Sequence, residues 1–323
     1  MVEPTRPPII LKNMVRNQLT GKVPPAIKAV SSSLRNRYGR SVLAIAFYGS
    51  CLRSSNPFEG ILDLYIVVKG YRSCYERLLP AVSNLLLPPN VFYMEEEFKG
   101  KTVRVKYAIV SMKQLERATS CQWFHPYFWA RFCQPMVLTF YRNEDVLERM
   151  VRCVCNALFT FFVRVIPCLE GLFGVKRLWQ RGLELTYMAE LRPEGRDRAR
   201  TIWKSNKDYF EAVTPYVLRA IRDKRFRIER DEEDSLYHLF ITDKERFLLC
   251  RLSWALRIVW GKLLSILRLI KACFTFGGGV DYALWKIERH TGVRIRLGPF
   301  LRRHPLLAMF FASWRLLKSK AIR

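Results

Sequence analysis

Apolar residues recur along this chain with two periods, and the change from one to the other divides it. After Pro24-Pro25, Ile27, Val30, Leu34 and Tyr38 return at helical spacing, which predicts a helix over 25–40. Ser41 to Tyr48 is then a continuous apolar run ending in Gly49-Ser50, which predicts a buried strand entering a tight turn. Ile61 to Val68 is a second, β-branched strand with a single acid, Asp63, near its start. Residues 72–87 read as a helix closed by Pro88-Pro89. Val91–Met94 and Thr102–Val110 read as a hairpin turning on Lys99-Gly100-Lys101. From about 113 the period turns helical, over 113–132, 143–165, 176–190, 196–224 and 244–273. Gly277-Gly278-Gly279, a short helix at 280–290 and a basic tail follow. The predicted class is α+β: a mixed sheet with flanking helices, then a mostly helical part. Its divisions are 1–112, 113–235 and a basic amphipathic 236–323, with the acidic stretch Glu229–Asp234 as an exposed loop or boundary.

The candidate chemistry lies where the first two strands begin and end. Tyr48-Gly49-Ser50 is followed thirteen residues later by Asp63, flanked by Leu62 and Leu64. Backbone can approach a triphosphate closely only where no Cβ intervenes, and a serine beside the glycine can donate to a phosphate oxygen. A strand-borne carboxylate suits Mg²⁺, a hard ion that bridges phosphate oxygens and offsets charge in the transition state. The competing reading is an ordinary turn with a locally paired Asp63. Burying an unpaired acid between two leucines is costly, which favours a functional role.

Charge and cysteine content narrow the class further. Lys and Arg number 55 against 28 Asp and Glu, a net charge of +27, which suits a polyanionic partner: nucleic acid, anionic headgroups or nucleotide phosphates. The nine cysteines form no CxxC and no regular framework, which argues against disulfides and a zinc site and for buried reduced thiols. His125, His290 and His304 stand apart from Cys and acids at ligand spacing and read as structural. The N-terminal MVEPTRPPII reads neither as a signal peptide nor as a good transit peptide. The best candidate membrane span, 154–173, is interrupted by Arg164, Pro167 and Glu170, so no span is expected.

The motifs taken in order resemble those of the mitochondrial-type phosphatidate cytidylyltransferases, a branch of the nucleotidyltransferase superfamily. Tyr48-Gly49-Ser50 is similar to that family's Tyr-Gly-Ser, Leu62-Asp63-Leu64 to its Leu-Asp-hydrophobic strand, and Lys106-Tyr107-Ala108-Ile109-Val110-Ser111 to its Lys-Tyr-Gly-Val-Ile-Ser. Trp129 to Met136 resembles its Ala-Gly-Arg-Leu-x-Lys-Pro-Val segment. Thr186 to Arg192 resembles Ser-Tyr-x-Gly-Asp-x-Arg, and Lys271 to Gly277 resembles Lys-Gly-Ile-Phe-Thr-Ala-Gly. The match runs over roughly residues 40–280. It departs at Ala130 for Gly, Gln134 for Lys, Glu190 for Asp, and Tyr65 where many nucleotidyltransferases place a second acid.

The resemblance implies a nucleotidyltransferase domain followed by a helical domain of winged-helix character. It also implies CTP as nucleotide, Mg²⁺ as cofactor, phosphatidic acid as acceptor and CDP-diacylglycerol as product. By position, Tyr48, Gly49 and Ser50 hold the triphosphate, Asp63 binds the metal, and Lys106 neutralises phosphate charge unless it is a snorkelling surface lysine. Arg131, Glu190 and Arg192 line the far side of the cleft. An ion pair between helices is the alternative for either arginine. Glu95, Glu96, Glu97 and Glu190 remain open as a second metal ligand; strand alternation puts Glu95 and Glu97 on one face and Glu96 on the other.

The last third is the basic one. From Phe247 to Arg323 there are fifteen Lys and Arg against Asp281 and Glu288. Within 244–273, Leu252, Ala255, Leu256, Val259, Leu263, Ile266 and Ile270 share a face, with Arg251, Arg257, Lys262, Arg268 and Lys271 opposite. This predicts either a core helix with a solvated basic face or an interfacial helix whose basic wall meets headgroups. The tail, rich in Phe, Leu, Trp, Lys and Arg, suits an anionic membrane surface. The expected setting is therefore cytoplasmic, peripheral on the inner face of the cell membrane, or the matrix side of the mitochondrial inner membrane in a eukaryote. No nucleic-acid partner is expected. The rival readings are an RNA-directed nucleotidyltransferase, and an inactive relative that binds lipid or a protein partner.

Overall fold

The computed structural model describes residues 7–54, 56–169, 171–191, 195–231 and 236–275, with a few single positions beyond. Two helices open the chain, α1 (Ile9–Leu19) and α2 (Pro25–Tyr38). Proline at the first position of α2 costs no hydrogen bond there, and Ile27, Val30 and Leu34 are buried as their spacing requires. The first sheet then assembles from β1 (Val42–Tyr48), β2 (Leu62–Val68), β3 (Asn90–Phe98), β4 (Lys101–Ser111) and β5 (Val137–Tyr141), in the order β3-β4-β2-β1-β5. The β2–β4 pair is parallel and the other pairs are antiparallel. Short helices α3 (Ser50–Ser54) and α4 (Leu78–Leu86) link its strands. The β3–β4 hairpin turns on Lys99 (φ 51°) and Gly100 (φ 72°), the two positive values that a tight two-residue turn needs.

Alternation along the strands sends apolar residues to both faces of this sheet. Ile45, Phe47, Leu62, Leu64 and Ile66 pack beneath α2. Ala44, Ala46, Tyr65, Val67 and Val110 pack on the other side, against α1, α5 (Met112–Thr119), α6 (Trp129–Phe132) and α7 (Glu144–Val165). Asp63 is two residues before Tyr65 and shares its face, so the one acid of β2 opens toward the helical half. The helix that continues α7, Glu144–Cys168, is long and apolar enough to cross a membrane. Yet 78% of its most apolar window is buried in the protein, as in a core helix.

The helical half continues through β6 (Leu172–Phe173), α8 (Val175–Met188), α9 (Gly195–Ser205), α10 (Lys207–Ala220), β7 (Phe226–Arg230) and β8 (Tyr237–Ile241). The three strands form a second sheet in the order β6-β8-β7. A helix, a strand, helices, then a hairpin whose last strand sits between the others is the element order of a winged helix. The acidic segment begins on β7 with Glu229, and its residues 232–234 lie outside the described residues.

Several expected elements differ in extent. The helix expected over 72–87 forms only from Leu78. The one expected over 113–132 splits into α5 and α6, separated by a loop with Pro126, and 196–224 breaks at Asn206 into α9 and α10. Helix α1, strand β5 and the β7–β8 hairpin were not anticipated. β5 pairs with β1, so residues beyond 112 complete the first sheet.

Helix α11 (Lys244–Thr275) requires the main correction. Its basic face was expected to meet solvent or headgroups; Lys262 does so, but Arg257, Arg268 and Lys271 turn toward the protein. Arg257 is 1% exposed, whereas Leu256 and Val259 are 66% and 69% exposed. Inward cations are matched by backbone carbonyls. Arg257 Nε donates to Phe124 O at 3.0 Å, Arg268 Nε to Pro88 O at 3.0 Å, and Lys271 Nζ to Leu87 O and, at 3.0 Å, to Pro89 O. Trp254 Nε1 donates to Arg164 O at 2.8 Å. Gly261 lets the helix close down, because a Cβ there would stand 2.1 Å from Ala189 O and 2.9 Å from His125 Nε2.

Candidate functional site

Tyr48 and Asp63 are partners in the β1–β2 register, so the turn after β1 and the start of β2 meet by construction. Gly49 has φ +92°, and a Cβ on it would lie 2.8 Å from Asp63 Oδ2. Two independent constraints thus demand glycine: the left-handed backbone and the carboxylate against it. Asp63 also pairs in register with Lys106 on β4, and their side chains form an ion pair, both partly exposed. Asp63 Oδ1 is itself sealed from solvent. Ser50 is exposed at the start of α3. A narrow pocket beside this corner is lined by Tyr48, Gly49, Leu52, Gln134, Pro135 and Asn206. Gln134-Pro135, flagged in the sequence, therefore reaches the glycine turn.

Arg131 and Glu190 form the second part of the site. Arg131 stands on α6 and Glu190 just past α8. Arg131 Nη1 lies 2.6 Å from Glu190 Oε1, and Arg131 Nη2 donates to Oε2 at 2.8 Å, a two-pronged pair with side chains only 12% and 13% exposed. Burial works against the Arg131 charge, and Glu190 with the Tyr127 and Tyr65 phenols together outweigh it, holding the guanidinium well above its ordinary value. Of the two roles open to Arg131, the helix-bridging ion pair is the one formed, and Glu190 is occupied by it. Arg192 lies outside the described residues.

Aromatic rings join the two parts. Tyr65 takes the place of a second acid. Its ring stacks on Tyr48 with centroids 5.0 Å apart and packs on Phe132 at 5.1 Å. Burial raises the Tyr48 phenol, and the charge of Asp63 raises it further, so it stays protonated. Tyr127, which no sequence signal had marked, carries Arg131 Cζ 3.9 Å and Arg268 Cζ 4.2 Å from its ring centroid. Its carbonyl accepts from Arg131 Nη1 at 2.6 Å, and its N–H donates to His125 Nδ1 at 3.2 Å. In the sequence Arg268 is marked only by its place on the basic face of α11, whereas Lys271 also opens the segment similar to the family's Lys-Gly-Ile-Phe-Thr-Ala-Gly. Burial, then Arg268, lowers Lys271 to about 7.

Of the β3 acids left open as a second metal ligand, Glu95 and Glu96 have other partners in the structure. Glu96 turns away and accepts from Ser33 on α2. Glu95 shares the Lys106 face but accepts from Tyr93 Oη and lies 3.7 Å from Arg104. Among the described residues no three His, Cys, Asp or Glu side chains are grouped to hold a metal. The donor set therefore fits an Mg²⁺ that arrives with a triphosphate and takes one carboxylate, Asp63, and does not fit a cage built by the protein. All eight described cysteines are free, as expected.

No known protein family matches the chain, and no curated protein does. Among solved structures it is similar to a nucleotidyltransferase-like protein from Exiguobacterium sibiricum 255-15, with 10% identity over 82% of this chain and 88% of that one. The TM-score is 0.25, so the functional argument rests on the residues themselves.

Proposed function

We propose that the chain is a nucleotidyltransferase. More particularly, it is a phosphatidate cytidylyltransferase-like enzyme that transfers CMP from CTP to phosphatidic acid at an anionic membrane surface. The observation that carries the reading is the corner formed by Gly49, Asp63 and Lys106: bare backbone, one strand-borne carboxylate and one cation in adjacent register positions.

In this reading Gly49 admits a phosphate to the backbone, with Ser50 beside it. Asp63, now paired with Lys106, would hold the nucleotide's Mg²⁺, and Lys106 would then be available to a phosphate oxygen. When bound, Mg²⁺ supplies charge neutralisation across the phosphates. A monoester oxygen of the acceptor forms a bond to the α-phosphorus. The bond from that phosphorus to the bridging oxygen breaks, and pyrophosphate leaves with the electron pair. The attacking phosphate is already ionised near neutral pH, so no strong general base is needed, and catalysis is alignment plus cationic stabilisation. Glu190 acts here by holding Arg131 in place.

The outer face of α11 supports the membrane part of the reading. Leu249, Leu252, Leu256, Val259, Leu263 and Ile266 are exposed along it, and α4 adds exposed Leu78, Leu79, Leu85 and Leu86. An apolar stripe on a chain of net charge +27 suits an anionic bilayer.

The test is incubation of wild type and Asp63→Ala with α-labelled CTP, Mg²⁺ and phosphatidic acid in mixed micelles, with a parallel arm containing RNA. Labelled lipid from wild type alone is the expected result. Label in RNA, or in neither acceptor, rejects the reading.

A further inference from the structure

Arg268 is a half-buried cation without a matching anion. Its Nε is satisfied by Pro88 O, its plane rests on Tyr127, and its Nη1 is sealed from solvent with no hydrogen-bond partner. Among the described residues no carboxylate forms an ion pair with it. The one acid close enough to influence it strongly, Glu190, has both oxygens engaged by Arg131. A charge withdrawn from water is ordinarily paired, so two guanidiniums on one tyrosine ring with one carboxylate between them leave an excess positive charge.

Two neighbouring donors are in the same condition. Tyr65 Oη is sealed and has no partner. So is His125 Nε2, and this nitrogen bears the proton of the neutral ring, because Nδ1 accepts from the Tyr127 N–H. Burial, reinforced by Arg268, lowers His125 to about 3, so it remains neutral. Three sealed donors, Arg268 Nη1 among them, have no hydrogen-bond acceptor among the described residues, and oxyanion oxygens would satisfy them.

We propose that Arg268 Nη1, with Tyr65 Oη and His125 Nε2 around Tyr127, forms a second anion subsite that takes the phosphate monoester of the acceptor lipid. The proposal rests on the nucleotidyltransferase reading and extends it. Tyr65 and Arg131 join the two places: the Tyr65 ring stacks on Tyr48 with centroids 5.0 Å apart, and Arg131 shares the Tyr127 ring with Arg268. The triphosphate corner and the Arg268 cluster are thus two neighbouring anion positions. Helix α11 adds the reason for assigning the second to a lipid. The same helix turns Arg268 toward Pro88 and Tyr127 and presents Leu263 and Ile266 outward, an arrangement in which a headgroup phosphate would meet Arg268 while its acyl chains remain on the apolar side.

The experiment is titration calorimetry of the full chain with dihexanoyl phosphatidic acid, inorganic phosphate and CTP–Mg²⁺, on wild type, Arg268→Met and Tyr65→Phe. The expected result is that Arg268→Met weakens the short-chain phosphatidic acid on the order of tenfold or more and leaves CTP–Mg²⁺ nearly unchanged. Tyr65→Phe, which removes one donor at nearly constant volume, should show a smaller loss in the same direction. It carries the test alone if thermal melting shows Arg268→Met unfolded. Equal loss of CTP–Mg²⁺ would assign Arg268 to the triphosphate, and unchanged phosphatidic acid binding would remove its role; either overturns the proposal. Inorganic phosphate binding as tightly as the lipid overturns the lipid assignment. If wild type binds phosphatidic acid through Arg268 and no nucleotide, the subsite stands and the nucleotidyltransferase reading fails. If it binds nucleotide and no phosphatidic acid, the reverse holds.

Discussion

Strand β2 and helix α11 both carry charge into apolar surroundings, and they satisfy it by different means. On β2 a single carboxylate, Asp63, is matched by one side chain, Lys106, at a fixed register position across the parallel pair. On α11 the cations of one face reach separate loops and donate to main-chain carbonyls of Phe124, Leu87, Pro88 and Pro89. A carboxylate only accepts, and buried donors are scarce because strands and helices consume their N–H groups internally. Cations are easier to match, since each carbonyl has two lone pairs and loop carbonyls are abundant, although Arg268 keeps one nitrogen, Nη1, without an acceptor. Hence the acid needs a dedicated partner, which an incoming metal can replace, whereas the basic face can serve as a clamp.

The sharpest way to test the cleft side of this comparison is to break its most buried pair. Arg131→Met alone should leave Glu190 buried without its partner and lower stability by about 3–5 kcal/mol. Glu190→Gln, which keeps hydrogen-bonding capacity, should cost less. The double replacement Arg131→Met with Glu190→Leu should recover much of the loss, since no charge is then stranded. Urea midpoints of the three variants measure this. Additive losses in the double variant would mean the pair is not one unit.

Next in size is Gly49→Ala. It forces a side chain into a left-handed backbone position and against Asp63 Oδ2, at a cost of about 1–3 kcal/mol in strain. Displacing Asp63 should also suppress transfer far more than stability, so labelled-product yield and melting temperature should separate. Full activity in this variant would show that the contact between the turn and the acid is incidental.

What the sequence revealed follows the same division. Strands β1, β2 and β4 were legible because a buried strand is a short apolar run, and Asp63 interrupts such a run visibly. The corner at Gly49 follows from those two strands pairing, so its residues could be named in advance. Strand β5 was not legible: Val137–Tyr141 is five residues with no period of its own, and it forms because β1 has a free edge. Arg131 and Glu190 are 59 positions apart, and nothing local predicts that they meet. For α11 the sequence supplied both faces correctly and the direction wrongly. Periodicity separates apolar from basic residues; it does not say which set faces the protein. Gly261 was the missing signal, since a helix glycine marks where a neighbour comes close.

That orientation can be tested directly. Leu256→Gln with Val259→Gln should change stability by no more than about 0.5 kcal/mol each, because both side chains already face outward. Arg257→Met, although it replaces a cation by an apolar residue of similar length, should cost about 1–3 kcal/mol by leaving the Phe124 carbonyl without its donor. A conventional amphipathic helix would give the opposite ranking. The same outward pair should reduce flotation with phosphatidic acid vesicles if that face meets the bilayer.

The pH response of Lys271 is also specific to the inward face. Burial, then repulsion from Arg268, lowers its folded value to about 7, while the unfolded chain keeps the ordinary value of 10.5. Between these values the unfolded state binds the proton and the folded state does not, so this group makes stability rise with pH from about 7 to about 10.5. Below about 7 both states are protonated and the penalty for the buried charge is constant. Lys271→Met should therefore flatten the rise, and the difference in melting temperature between variant and wild type should shrink as the pH increases across that window. Comparing the two proteins removes the background from the many other lysines, which titrate in both. A pH-independent difference would mean that Lys271 stays charged when folded, and that its carbonyl partners alone offset burial as fully as water does.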